Sequence, residues 1–103
     1  MYKLVFFVPE AHKDDVKHAV FATGAGRIGD YDNCCWEALG TGQFRPRVGA
    51  NPFIGSQGLL EHVKEYRVEM VCDDDVIRDA VKALKKAHPY EEPAYDVTLL
   101  EDF

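Results

Sequence analysis

The stretch "KEYRVEMVCDDDVIRDAVKALKKAHP", residues 64–89, decides the fold because a strand pattern passes directly into a helix pattern. Its first part, 64–72, alternates apolar and charged residues, as in a strand with one covered face. The residues predicted to share that face are Tyr66, Val68, Met70 and Cys72. From about 75 to 88 apolar residues recur at helical spacing, and the predicted buried stripe is Ile77, Ala80, Val81 and Leu84. The aspartates of "CDDD" are expected to cap this helix, and Pro89 to end it.

The sequence before this stretch supplies the remaining strands and a first helix. Residues 2–8, "YKLVFFV", predict a central strand, and a helix is expected from about 10 to 23. Segments 31–39 and 43–48 predict two strands joined by a hairpin turn at "GTG". The segment 40–60 would be an excursion between two central strands.

After the second helix, a last strand is expected over about 94–100, with Tyr95, Val97 and Leu99 on one face. The order of elements is then β-α-β-β-β-α-β. This order predicts an α+β, ferredoxin-like sandwich, in which two helices cover one face of an antiparallel sheet. We expect one domain over residues 1–103.

Charge and composition exclude several classes of protein. A net charge of −6 argues against general nucleic-acid binding, and no apolar run reaches the roughly 20 residues of a membrane helix. We expect no signal peptide at the start. The odd number of cysteines, Cys34, Cys35 and Cys72, indicates a reducing cytoplasm, with each thiol a small apolar strand residue.

The glycines of "GAGRIG", residues 24–29, have the spacing of a dinucleotide-binding loop. That loop needs a strand before it and a helix after it, so that the helix N-terminus receives the pyrophosphate. Here a predicted helix comes first and strand-like sequence follows. Gly24 is therefore interpreted as a helix stop, and Gly26 and Gly29 as loop residues.

The histidines and the serine show no local pattern of a metal site or of nucleophilic catalysis. The histidines show no paired metal-ligand spacing, and Ser56, the only serine, lies in a predicted loop rather than at a nucleophile elbow. Candidate chemistry is left to two other stretches.

The first candidate is "GTGQFRPRVGANPFIG", residues 40–55. Arg45 and Arg47 lie among glycines that allow backbone N–H groups to approach a phosphate or carboxylate. The alternative is an exposed hairpin whose arginines are solvated, or pair with acidic residues of a neighbouring subunit. Residues 49–60, "GANPFIGSQGLL", are predicted to form a long ordered loop, and loops of this length are more often functional or interfacial than idle.

The second candidate is "HPYEEPAYD", residues 88–96, which gathers a histidine, an aromatic residue and two carboxylates. Glu91 and Glu92 could bind a metal or act as acid and base. The alternative is a turn in which Pro89 and Pro93 fix the path and Tyr90 packs. Across both stretches the predicted ligand-binding residues are Gly40, Gly42, Arg45, Arg47, Asn51, His88, Tyr90, Glu91 and Glu92.

Four motifs in order, "GAGRIGDYDNC", "GTGQFRP", "GANPFIG" and "HPYEEPAYDV", resemble the domain inserted in YqfO-type members of the Nif-three-like family. These proteins are also named GTP cyclohydrolase type 2 homologues. The "HPYEEPAY" segment also resembles the "HPYE-x-P" turn of the CutA divalent-cation tolerance proteins, at His88, Pro89, Tyr90, Glu91 and Pro93. The resemblance implies a stand-alone insert domain with a CutA/PII-type fold that assembles as a trimer. It also implies that the family's dinuclear metal ligands belong to a flanking domain outside this sequence.

Three functions are therefore weighed. The first is a cytoplasmic, non-enzymatic homo-oligomer that binds a small anion, another small molecule or a divalent metal ion at subunit boundaries. The second is an interaction module that docks on a Nif-three-like metal-binding protein. The third is a hydrolase using Glu91 and His88.

Overall fold

The computed structural model describes residues 1–103, which form four strands, two helices and one 3-10 turn. In chain order these are β1 (Tyr2–Pro9), the 3-10 turn Glu10–His12, α1 (Lys13–Phe21), β2 (Trp36–Phe44), β3 (Glu61–Cys72), α2 (Ile77–Ala87) and β4 (Tyr95–Leu99). Neither α1 nor α2 has the length and apolar character of a membrane-spanning helix.

The strands form one antiparallel sheet in the order β2-β3-β1-β4. Phe6 of β1 lies opposite Val68 of β3 on one side and Tyr95 of β4 on the other. The predicted α+β sandwich and the central position of the first strand are confirmed. β2, however, lies at the edge of the sheet, so the excursion leads from an edge strand into a central one.

The core lies between the two helices and one face of the sheet. The strand residues that it buries alternate along β1 and β3: Leu4, Phe6, Val8, Val68, Met70 and Cys72. The helices contribute Val16 and Val20 from α1 and Ile77, Ala80 and Leu84 from α2. The apolar stripe predicted for the second helix is thus confirmed, with Val81 partly buried at its margin. The opposite face of the sheet has no helix over it.

The predicted "GTG" turn is wrong, because residues 36–44 form one continuous strand. Gly40 pairs with Glu65 and Gly42 with Val63 inside the β2–β3 ladder. Neither glycine has a positive φ, which tight hairpin turns require. The left-handed glycines that do reverse the chain are Gly49, Gly55 and Gly58, with φ of 97°, 85° and 80°. The connection from β2 to β3 is therefore the segment 45–60, and the predicted strand 43–48 does not form beyond Phe44.

Two predicted helix ends have different outcomes. Gly24 has a φ of 101° and follows α1, which confirms it as a left-handed helix stop. The aspartate cap on α2 is wrong, since no side chain caps this helix. The backbone carbonyl of Asp73 accepts a hydrogen bond from the N–H of Ile77 instead, at 3.1 Å.

The segment before β2 exposes an apolar patch that the strand prediction for 31–39 did not anticipate. The strand begins only at Trp36, so Cys34 and Cys35 precede it and Cys35 is exposed. Cys72, by contrast, is buried in β3 as predicted. The exposed apolar residues that flank the two cysteines are Ile28, Tyr31 and Trp36, at 54%, 76% and 61% exposure. We call these three residues the Trp36 patch.

The first and last strands are neighbours in the sheet. Tyr2 lies opposite Leu99 in the β1–β4 ladder. The N–H of Leu100 donates to the carbonyl of Met1 at 3.0 Å, which extends the pairing past the strand end.

Candidate functional site

The 45–60 connection folds back against the turn that follows α2, and the two enclose a pocket of about 260 Å³. The pocket brings together the two stretches that the sequence singled out. Its walls are formed by Phe7, Gln43, Phe44, Arg45, Pro46, Ala50, Pro52, Phe53, Ile54, Glu65, Tyr90, Glu91, Glu92 and Ala94.

Backbone geometry and a few contacts hold the connection in place. Its left-handed glycines allow sharp reversals, and the N–H of Gly58 closes the loop by donating to the carbonyl of Pro46 at 2.8 Å. Pro46 itself is buried. The ring of Phe53 meets the ring of His12 edge to face, with 5.3 Å between centroids. The connection is thereby packed against the start of the first helical segment.

His88 lies beneath the pocket and joins the turn to the first strand. It is buried, and the N–H of Tyr90 donates to its Nδ1 at 3.1 Å. Because Nδ1 accepts, Nε2 carries the ring proton and donates it to the carbonyl of Phe7, at 2.7 Å. Burial lowers the pKa of His88, which favours this neutral form. Neither ring nitrogen is left to act as a base with Glu91 or to ligate a metal.

Tyr90 connects the turn to the central strand β3. Its phenol donates to Oε2 of Glu65 at 3.1 Å, and its ring packs on that of Phe44, with centroids 5.9 Å apart. Burial, reinforced by the Glu65 carboxylate, raises the pKa of Tyr90, so the phenol stays protonated as a donor.

Gly42 leaves the space that the Glu65 side chain occupies. A Cβ placed on Gly42 would overlap the Oε1 atom of Glu65. Gly40, two residues earlier on the same face, has open space around it. Gly42 therefore makes room for the Glu65 carboxylate and does not form a turn.

A further hydrogen bond connects the two walls of the pocket. The backbone N–H of Asn51 donates to Oε1 of Glu91 at 3.0 Å. This is the contact by which the 45–60 connection holds the turn directly, across forty residues of sequence.

The structure brings only some of the predicted site residues together at the pocket. Arg45, Tyr90, Glu91 and Glu92 line the pocket, and Asn51 and His88 form hydrogen bonds with lining residues without lining it themselves. Arg47 is exposed and does not line it. Gly40 and Gly42 lie beside a second groove of about 370 Å³ on the helix-free face of the sheet.

Several lining residues were missed by the sequence analysis, above all Phe7 and Glu65. Both belong to strands whose alternation signals only which face they occupy. Glu65 lies opposite Gly40 in the β2–β3 ladder. This pairing could have identified Glu65 only if "GTG" had been predicted as part of a strand rather than as a turn. No group of three or more histidine, cysteine, aspartate or glutamate side chains is arranged to hold a metal ion.

Comparison with known proteins identifies relatives of this chain. No protein-family profile matches the chain. Three bacterial proteins named GTP cyclohydrolase 1 type 2 homolog do match it over nearly its whole length. That of Halalkalibacterium halodurans is 50% identical over 97 residues, which is 94% of the chain and 26% of the relative. The Mycobacterium tuberculosis relative is 48% identical over 98 residues (95% and 26%), and that of Bacillus subtilis 43% over 99 residues (96% and 26%).

The chain is homologous to one segment of these proteins. It spans 26% of the length of each of the three. Among solved structures, a Bacillus cereus protein related to NIF3 superposes with a TM-score of 0.83 at 42% identity, over 98% of the chain and 26% of that protein. The resemblance to Nif-three-like proteins is confirmed.

A CutA-like fold is shown as well. The periplasmic divalent cation tolerance protein CutA from Archaeoglobus fulgidus superposes with a TM-score of 0.69 over 100% of the chain and 87% of its own length. At 12% identity this likeness concerns the fold alone. In this chain the "HPYEEP" segment, residues 88–93, is the one that His88 anchors to Phe7.

Proposed function

We propose that this chain is a non-enzymatic, homo-oligomeric unit that binds a small molecule in the pocket and acts as a regulatory domain of the Nif-three-like type. The observation that carries this proposal is the pocket itself, whose walls come from two segments distant in sequence that are connected by hydrogen bonds. Asn51 bonds to Glu91 across it, and Tyr90 bonds to Glu65 at its floor. Pockets that combine apolar walls with a few oriented polar groups are typical of ligand sites.

Assembly with further copies, with a trimer as the expected state, is part of the proposal. The support is the helix-free face of the sheet, where Trp36 stands exposed beside Glu69 and Val5 in one cross-strand row. β2 also offers an unpaired backbone edge, which proteins usually cover. A cytoplasmic location is proposed on the strength of three free cysteines.

Native mass spectrometry of the purified protein tests both parts, since it reads subunit number and retained ligand together. We expect a trimer with added mass close to one ligand per subunit. Ala94 lines the pocket, so Ala94→Trp should fill it and remove the added mass, whereas Ala22→Trp on an exposed helix end should not. Retention of the same mass by both variants would place the ligand elsewhere and overturn the proposal.

The Trp36 patch supports a second candidate, an interaction module that docks on a Nif-three-like protein. Exposed aromatic residues such as Tyr31 and Trp36 are typical of protein contacts. Mixing the chain with a family member that lacks the matching segment should give a complex on size-exclusion chromatography, and Trp36→Ser should abolish it. Separate elution of the two unmodified proteins would exclude this candidate.

A further inference from the structure

The pocket is lined by more acidic than basic side chains. Glu65, Glu91 and Glu92 supply three carboxylates, and Arg45 is the only cationic side chain among the lining residues. None of these four takes part in an ion pair. The excess of negative charge is therefore not neutralised by the protein, and a concave site of this kind raises the local concentration of cations.

Two of the carboxylates are held in fixed orientations. One oxygen of Glu65 accepts from Tyr90 and one oxygen of Glu91 accepts from Asn51. The other oxygen of each group accepts no hydrogen bond from the protein. Oriented carboxylates with a free oxygen are ready acceptors for the N–H groups of an ammonium ion.

The walls around these carboxylates are aromatic. Phe7, Phe44, Phe53 and Tyr90 all line the pocket. Aromatic faces attract organic cations through their quadrupoles, and several rings around one space form the usual site for substituted ammonium groups. The carboxylates are not grouped as metal ligands, and a bare metal ion would gain nothing from the rings.

We propose that the occupant of the pocket is a small organic ammonium ion with an apolar body, held between the aromatic rings and the carboxylates of Glu65 and Glu91. This inference rests on the proposed function and assigns its ligand class. The charge is opposite to that of the anion expected from Arg45 and Arg47. The volume of about 260 Å³ lies just below the range of drug-sized sites and suits a compact amine.

The test is a titration of this chain, monitored by amide NMR, with three probes of similar size: benzylammonium, benzyl alcohol and benzoate. We expect the cation to shift the amides of Phe53, Tyr90 and Glu91, with at least tenfold higher affinity than either of the other probes. Glu65→Gln removes the charge but keeps an acceptor for Tyr90, and it should weaken cation binding about tenfold. Glu101→Gln removes an equal charge from an exposed, distant position and should leave the affinity unchanged.

Two outcomes would overturn the inference in different ways. If benzoate shifts the same amides with equal or higher affinity, the pocket binds ligands but selects anions, and the proposed function survives. If the cation shifts no pocket amide, or Glu101→Gln weakens it as much as Glu65→Gln, the ammonium site is wrong. The native mass spectrometry of Ala94→Trp then tests independently whether the pocket binds any small molecule.

Discussion

The phenol of Tyr90 donates a hydrogen bond to the carboxylate of Glu65, with 3.1 Å between Oη and Oε2. One residue belongs to the turn after α2 and the other to a central strand, so the bond fixes the turn to the sheet at the floor of the pocket. Gly42 on the neighbouring strand clears the space in which the Glu65 carboxylate lies. The pocket thus depends on three elements that are remote in sequence.

The Tyr90–Glu65 bond should be measurable as a coupling energy. Tyr90→Phe and Glu65→Ala each remove one partner, and the double variant removes both. We expect the double-mutant cycle to give a coupling of about 1 kcal/mol, since the site is only partly buried. Urea unfolding of the four proteins supplies the measurement. Strictly additive effects would show that the two groups do not interact in solution.

A methyl group at position 42 should disturb the pocket and destabilise the fold by no more than about 1 kcal/mol, the expected contribution of the Tyr90–Glu65 bond. In Gly42→Ala the flexible end of Glu65 must move, so Tyr90 loses its acceptor. Gly40→Ala, on the same strand face with open space around it, is the matched control. We expect the NMR signals of Tyr90 to shift in the first variant alone. Equal shifts in both variants would contradict the role assigned to Gly42.

His88 should make the protein less stable in mild acid. The unfolded chain takes up a proton as pH falls through the ordinary histidine pKa of 6.5, whereas burial lowers the pKa of His88 in the folded protein. Between the lowered pKa of the folded protein and the ordinary pKa, the unfolded state binds more protons than the folded state. The free energy of unfolding therefore falls as pH decreases through this range.

The comparison of His88→Gln with His62→Gln isolates this effect, because His62 is exposed. His88→Gln should cost about 1–3 kcal/mol at neutral pH by leaving a buried backbone group unpaired, and should flatten the slope below pH 6.5. His62→Gln should change neither quantity. Denaturant unfolding at several pH values measures both, and a slope unchanged in His88→Gln would refute the assignment.

The core stripe of α2 should dominate stability. Leu84 is fully buried, whereas Leu59 is 58% exposed in the connection. We expect Leu84→Ala to lower the free energy of unfolding by about 2–5 kcal/mol. Leu59→Ala should change it by no more than about 0.5 kcal/mol. Similar losses in the two variants would mean that the connection is part of the cooperative core.

Charge on the helix-free face should reduce assembly without unfolding the subunit. Trp36→Glu puts a carboxylate next to Glu69 on that face, and Leu99→Glu puts one on an exposed site of the helix-bearing face. Native mass spectrometry should show fewer subunits for the first variant only. A subunit number unchanged in Trp36→Glu would remove this face from the interface.

The sequence predicted the parts of the fold that local periodicity controls. The alternation of 64–72 and the stripe of α2 depend on near neighbours in the chain, and both were correct. The "GTG" segment failed because glycine is also used in strands where a neighbouring side chain needs space, and Glu65 lies twenty-three residues away from Gly42. Likewise the pocket residues Phe7 and Glu65 follow from strand register, which composition does not encode. His88 was identified as important, but its role depends on a carbonyl in the first strand.

The pairing of Tyr2 with Leu99 has a topological consequence. Because the first and last strands run side by side, the chain enters and leaves its own fold at almost the same point. Such a unit can be inserted between two neighbouring residues of a surface loop in a host protein, because its two ends need little separation in that loop. The same geometry would let the two ends be fused and the chain reopened within the 45–60 connection, as a circular permutation.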